Sequence, residues 1–307
     1  MKACIDIGGT KVAVSLNAGD GLELQARRSE PTAKTGSNDA LAQQVIRMVD
    51  SACAELGVAP DTVQRAGVSS CGPFVMRGGL VELAAPNICG GMAGPARGLP
   101  NSWETATLEA PLRHRFQEVR VENDCIGALE AERAWGALRG FDHCAYVTWS
   151  TGIGVGLCVD GRVLRGKNGN AGHAGHMFVS DNDDALCGCG NIGDVEGLIA
   201  GNAIARRFGA EAPQLFVRAQ QGEGEAQQVV ESLCRVMGRM LYNLTVALDL
   251  QRISLGGSVF TNNKDYLLPR LQAQLSGKLP SLTDGCELVA AGLGERVGDY
   301  AALALLA

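Results

Sequence analysis

The sequence predicts an α/β protein of two domains, and three observations carry that prediction. One hairpin grammar (strand, glycine turn, strand, Gly/Asp turn, strand) occurs twice, about half a chain apart. Stretches with apolar residues at helical spacing fill the intervals. The chain of 307 residues also exceeds what a single hydrophobic core ordinarily organises.

Residues 2–28 read as the strand KACIDI, a turn at Gly8-Gly9-Thr10, the strand KVAVSL, a turn over Ala18-Gly19-Asp20-Gly21 and the strand LELQARR. A helix over Asp39–Leu56 follows, with Leu41, Val45, Val49, Ala52 and Leu56 on one face and Ser37 or Asn38 as N-cap. Proline and glycine scattered through 86–111 mark a loop, and so long a loop in a compact protein is usually functional. Asn123-Asp124 opens a helix reaching about Leu138. Residues 143–165 repeat the hairpin grammar as HCAYVTW, Ser150-Thr151-Gly152, IGVGLCV, Asp160-Gly161 and RVLR. Asp-Gly between alternating runs is a strong hairpin signal. Helices over Ile192–Phe208 and Ala226–Leu248, the strand RISL ahead of Gly256-Gly257, and a closing helix in AALALLA complete the chain. The repeat predicts a duplicated α/β domain facing itself across a cleft.

Composition narrows the class. A 46% hydrophobic share with few aromatics and 41 glycines describes a turn-rich globular protein. A formal charge of −6 without a Lys/Arg cluster argues against a nucleic-acid partner. No signal peptide opens the chain, and no apolar run approaches the ~20 residues of a membrane span, so no membrane partner is expected. Eleven cysteines, an odd number scattered from Cys4 to Cys286, read as reduced thiols and a cytoplasmic location.

Five segments carry chemistry. The stretch Gly172–Glu196 places His176, Cys187, Cys189 and Asp194, all metal-ligand types, in one loop whose glycines let the backbone wrap an ion. His173 and Glu196 flank it with further polar groups. In the first hairpin turn, Gly8 and Gly9 let backbone N–H groups approach a phosphate, Thr10 adds a hydroxyl, and Asp6 can hold Mg²⁺; a plain tight turn is the bland alternative. Thr151, Gly152 and Gly154 form the counterpart in the second hairpin. Leu255-Gly256-Gly257-Ser258 is a strand end on which an adenine can lie, or an ordinary strand-to-helix turn. Asn123-Asp124 reads as a helix cap, or as a general base, Asp124, beside a sugar-orienting Asn123.

DIGGTK, END, STGIGVG, GHAGHM with CGCGNIGDVE, and SLGGSV, in this order and spacing, resemble the ROK family of bacterial and archaeal sugar kinases and sugar-responsive repressors. The resemblance covers essentially the whole chain. It implies the actin-like ATPase (ribonuclease-H-like) fold, with a nucleotide and sugar cleft between a domain of 1–122, closed by a helix over 297–307, and a domain of 123–296. It also implies a homodimer that transfers the γ-phosphate of ATP, with Mg²⁺, to O6 of a hexose, glucose being the default and N-acetylmannosamine or N-acetylglucosamine the alternative. A non-catalytic sugar sensor is the rival reading. The chain opens on its first strand, without a DNA-binding region ahead of it, so an enzyme is expected.

Residue by residue, Asp124 matches the family's base and Asn123 its sugar-binding neighbour. Asp6, Gly8, Gly9, Thr10 and Lys11 match the first phosphate motif, and Thr151, Gly152 and Gly154 the second. Gly256 and Gly257 match the adenosine motif. His176 and Glu196 match sugar contacts, and Asn87 or Asn101 supplies a further asparagine. The resemblance implies zinc on His176, Cys187, Cys189 and Asp194. Two positions depart from it: Asp194 stands where a third cysteine is usual, with Asp181, Asp183 and Asp184 as rival ligands, and His173 replaces a sugar-gripping glutamate.

Overall fold

The computed structural model describes residues 1–19, 21–90, 98–181 and 185–307. Asp20 of the first Asp-Gly turn, and Asp183 and Asp184 of the acidic loop, lie outside the described residues. The chain forms two compact units, one of 1–131 with 165–171 and 296–307, the other of 132–164 with 172–295.

The first unit is built on β1 (Lys2–Ile7), β2 (Lys11–Asn17), β3 (Gln25–Pro31), α1 (Ala40–Leu56), β4 (Arg65–Ser70), β5 (Phe74–Arg77), β6 (Leu80–Leu83), β7 (Ala106–Thr107), α2 (Glu109–Arg115), β8 (Glu118–Asn123) and the start of α3 (Asp124–Trp135). Its main sheet has the order β3-β2-β1-β4-β8, antiparallel across the first three strands and parallel from β1 through β4 to β8. Central strands covered on both faces need apolar side chains on both, and Ala3, Cys4, Ile5 and Ile7 of β1 are buried accordingly. Register fixes the chemistry: Ile7 lies level with Ser70, and Ser70 with Asn123. The ends of β1 and β8 therefore stand two strands apart, about 10 Å.

Helix α1 buries Leu41, Val45, Met48, Val49 and Ala52 and ends at Gly57 in the left-handed conformation. Its N-cap position is Asp39 rather than Ser37 or Asn38, and the Asn38 amide is instead engaged with Thr107. The 86–111 segment is not all loop. Buried Ala106 pairs β7 with β6, and Glu109 begins α2, because that stretch supplies the edge of a small β5-β6-β7 sheet.

The second unit repeats the topology. It contains β9 (Cys144–Trp149), β10 (Ile153–Val159), β11 (Arg162–Val163), α4 (Val195–Ile199), α5 (Gly201–Phe208), α6 (Ala212–Gln220), α7 (Gly224–Leu248), β12 (Arg252–Gly256), α8 (Ser258–Thr261), α9 (Lys264–Leu275), α10 (Pro280–Thr283) and β13 (Glu287–Ala290). The sheet order is β11-β10-β9-β12-β13, the same sequence of antiparallel and parallel neighbours as in the first unit. This doubled arrangement is the actin-like ATPase fold. Asp160 and Gly161 take φ of 53° and 70°, the left-handed pair that a tight β10–β11 hairpin requires. The helix expected over Ile192–Phe208 is instead two. The Asp194 side chain accepts from the Gly197 N–H and starts α4 there, and extended backbone at Ala200 separates it from α5.

The last helix, α11 (Val297–Ala304), packs in the first unit, on β1 and β4. Gly67 of β4 permits this: a Cβ there would sit 2.0 Å from the Ala302 carbonyl oxygen.

In the second unit Glu132, fully buried, accepts four hydrogen bonds. They come from the Leu293 N–H at 2.8 Å on Oε1, and from the N–H groups of Ala137 (2.8 Å) and Gly292 (3.0 Å) and the Ser254 hydroxyl (3.2 Å) on Oε2. One carboxylate thus joins the end of α3, strand β12 and the segment after β13. Among the described residues no helix is long and apolar enough to cross a membrane.

Candidate active site

Two clusters of the sequence-marked residues form, one in each unit. In the first unit Asp6 occupies the end of β1, where burial pushes its carboxyl up from the ordinary 3.8 to about 6, and nearby Asp124 adds to the shift. Lys11 opposes it. The turn from Gly8 to Lys11 closes with the Gly8 N–H donating to the Lys11 carbonyl at 2.9 Å. Asn87 lies over this turn: its Cβ is 3.0 Å from where a Cβ on Gly9 would stand. Asn101 is differently employed. Its amide donates to the Lys34 and Ile88 carbonyls, both at 2.9 Å, and accepts from the Trp103 N–H at 3.1 Å, so it fastens a loop.

At the end of β8, buried Asn123 accepts from the Cys125 N–H at 3.0 Å, and exposed Asp124 accepts from the same group at 2.8 Å. The pair therefore caps α3, and the cap leaves the Asp124 carboxylate open to solvent, where it can take a proton. Cys71 was not marked by the sequence. Burial pushes its thiol up to about 12, and Asp124 and Asp6 add to the effect, so a neutral thiol borders the two acids.

In the second unit the turn between β9 and β10 closes with the Ser150 N–H on the Gly152 carbonyl at 3.0 Å. Thr151 is exposed at its tip, and Gly154 lies opposite Thr148 in the sheet. Glu196, in the first turn of α4, reaches this turn: its Oε2 accepts from the Ile153 N–H at 3.0 Å and would stand 2.8 Å from a Cβ on Gly152. At the end of β12, Gly256 lies opposite Thr148 in the same sheet, and Gly257 follows it at the start of α8. Gly257 has φ of 87°, and a Cβ there would meet the Trp149 carbonyl oxygen at 2.5 Å, so no other residue fits.

His173 precedes a short 3-10 turn over Ala174–His176, and its ring stacks on that of His176 with centroids 6.2 Å apart. His176 Nδ1 lies 3.2 Å from Asp194 Oδ2 and 3.8 Å from Cys187 Sγ, and Cys189 Sγ lies 3.6 Å from the same Asp194 oxygen. All four donor atoms fall within 4.8 Å of one another. Tetrahedral zinc with N, O and S ligands needs edges of about 3.3–3.8 Å, so the donor set suits such an ion. Asp194 serves twice, since its other oxygen caps α4 at the Gly197 N–H, 2.7 Å away. The Asp194 hydrogen bond draws the imidazole of His176 above its ordinary value, against burial and with help from Glu196. Burial favours the protonated form of Asp194, but bonds from His176, Gly197 and Cys187 outweigh it and hold the carboxyl below its ordinary value. Among the described residues, no other group of three or more His, Cys, Asp or Glu side chains gathers as a metal site.

The Asp6 shift has a measurable consequence. A folded-state value above the unfolded one means that the native protein holds the proton more tightly. Its contribution to stability is therefore complete below about pH 4 and lost as pH rises through about 6. Asp6→Asn removes the ionisation and is expected to stabilise the metal-free protein by about 3 kcal/mol at pH 8, with the gap closing near pH 4. Urea unfolding of both proteins across that range measures it. A gap independent of pH would show that Asp6 does not carry the shift.

A family model described as ROK family matches residues 2–307. The glucokinase of Aeropyrum pernix is 27% identical over 98% of this chain and 95% of its own length. An N-acetylmannosamine kinase of Escherichia coli is 32% identical over 83% of this chain and 82% of its own. Among solved structures, a ROK family glucokinase from Streptomyces griseus in complex with glucose and AMPPNP superposes with a TM-score of 0.72 at 25% identity, covering 100% of this chain and 98% of that one.

Proposed function

The chain belongs to the ROK family and to its sugar kinases, and from the two clusters we propose that it transfers the γ-phosphate of ATP to the 6-hydroxyl of a hexose. The observation that carries this reading is the solvent-open carboxylate of Asp124 beside buried Asn123 in the same unit as the Gly8–Lys11 turn. Asp124 accepts the proton of the attacking hydroxyl. A base needs hydrogen-bond reach of that proton more than an unusual pKa. The N–H groups of the Gly8–Lys11 and Ser150–Gly154 turns receive phosphate oxygens. Asp6 would hold the nucleotide's Mg²⁺, whose charge offsets that of the phosphates. Gly256 and Gly257 offer bare backbone to the adenosine. Asn87, Asn123, His176 and Glu196 orient the sugar, while Asn101 braces the loop. Zinc would be held by His176, Cys187, Cys189 and Asp194, where it supplies a fixed anchor for the His176 ring.

Glucose is the default acceptor, in keeping with the Aeropyrum and Streptomyces relatives. His173 favours a second reading, N-acetylmannosamine. A carboxylate at that position can only accept hydrogen bonds, which suits hydroxyls and repels an acetamido carbonyl. An imidazole can donate one. A relative named for that sugar is 32% identical.

A coupled assay of ADP release across glucose, mannose, N-acetylglucosamine and N-acetylmannosamine tests both readings. Hexose-dependent ADP release is expected, with kcat/KM for N-acetylmannosamine exceeding that for glucose about tenfold or more if His173 selects it, and His173→Glu reversing the preference. No ADP release with any of these sugars would overturn the kinase reading.

A further inference from the structure

Two buried polar side chains take no part in the proposed chemistry, yet both bear on the first phosphate turn. Gln44 sits among the apolar stripe of α1, between Leu41, Val45 and Met48, where the helical pattern asks for an apolar residue. Its relative exposure is 8%. Its amide straddles one residue of the extended segment after β3: Nε2 donates to the Pro31 carbonyl at 2.7 Å, and Oε1 accepts from the Ala33 N–H at 2.8 Å. The residue between them is Thr32, 7% exposed. Its hydroxyl donates to the Gly8 carbonyl at 2.7 Å and its N–H donates to the Thr10 carbonyl at 3.1 Å.

These four bonds settle the direction of the turn's peptide planes. A trans peptide carries its C=O and the following N–H on opposite sides. Holding the carbonyls of Gly8 and Thr10 toward Thr32 therefore aims the N–H groups of residues 9 and 11 the other way. Carbonyls facing an anion repel it, and N–H groups facing it bind it. We infer that Thr32 is a positioning residue that preorganises the Gly8–Lys11 turn for a phosphate oxyanion, with Gln44 fixing Thr32 in place. The inference rests on the reading of that turn as a nucleotide phosphate site. It gives Thr32 a role in nucleotide affinity without contact to the nucleotide.

Thr32→Val keeps the shape and the backbone bond and removes only the hydroxyl donor. Isothermal titration with AMPPNP and Mg²⁺, and separately with the sugar preferred in the assay, reads the effect. Thr32→Val is expected to weaken AMPPNP binding about tenfold, as for one lost buried hydrogen bond, and to leave sugar affinity within about twofold. Thr32→Ser restores the donor and is expected to recover most of the nucleotide affinity. A merely structural threonine would lower the melting temperature without changing the nucleotide Kd of the folded protein, and an unchanged Kd overturns the inference. Should Thr32→Val fail to fold, Gln44→Met acts one bond further back. It is expected to weaken AMPPNP about threefold by releasing residues 31 and 33, and here too an unchanged Kd overturns it. If the wild-type protein itself binds no AMPPNP, the kinase reading falls and this inference with it. If the wild type binds and the variants bind equally, only the inference falls.

Discussion

Asp124→Asn is expected to lower kcat about 10²–10⁴-fold while leaving sugar affinity within about twofold. The substitution is nearly isosteric. An asparagine oxygen can still accept from the Cys125 N–H, which lies 2.8 Å from Asp124 Oδ1, so the start of α3 keeps its cap. Buried Asn123, which accepts from the same N–H, is untouched. What the amide loses is the capacity to take up a proton. Sugar orientation falls to other side chains, so the loss belongs in kcat. Replacing a negative charge beside Asp6 also removes one of the causes that raises the Asp6 carboxyl. The same variant should therefore move the Asp6 titration down toward its ordinary range. Coupled steady-state kinetics and sugar titration calorimetry together measure the first effect. Turnover retained by the Asp124→Asn variant would remove Asp124 from the chemistry.

Glu132→Gln has the largest expected effect on stability, a loss of about 2–4 kcal/mol in the free energy of unfolding by urea. All four neighbours of Glu132 donate, so both of its oxygens must accept. Glutamine offers one acceptor oxygen. If that oxygen takes the place of Oε2, the amide NH₂ faces the Leu293 N–H, and two donors meet in a fully buried site. The close packing around it leaves little room to adjust: a Cβ on Gly136 would lie 2.5 Å from the Glu132 carboxyl. A loss below about 0.5 kcal/mol would show that the cluster is not the anchor these distances describe.

Much of this was legible in the sequence wherever the determinants are local. The Asp160-Gly161 turn is written in two adjacent residues whose left-handed backbone only a few residue types adopt. The doubled hairpin grammar carries over into the doubled sheet order, since antiparallel neighbours follow from short turns. The knuckle residues His176, Cys187, Cys189 and Asp194 come together as their spacing suggested. Local pattern failed where a distant partner decides. Ile192–Phe208 has helical composition, but Asp194 diverts its carboxylate to the Gly197 N–H and the Gly201 N–H donates to the Ser150 carbonyl, so the helix breaks between them. Pro86-Asn87 and Pro100-Asn101 look alike as letters. Only the bonds of Asn101 to Lys34, Ile88 and Trp103 separate the loop brace from the residue over Gly9. Glu132 finds partners as far as 161 residues away, and no periodicity reports that. Gln44 did leave a trace, a polar residue on an apolar helical face, which marks a buried side chain that must find backbone partners.

In the proposed reaction, phosphate passes from ATP to the 6-hydroxyl of a hexose with Asp124 as the base. Phosphorus and carbon NMR of the products from ATP, Mg²⁺ and the preferred sugar reads out both the position of transfer and the part played by Asp124. One equivalent of ADP for each sugar phosphate is expected, with the phosphorus coupled to C6, and with Asp124→Asn the same product is expected to form about 10²–10⁴-fold more slowly. Phosphate on C1, or the same C6 product formed at undiminished rate by the Asp124→Asn variant, would contradict it.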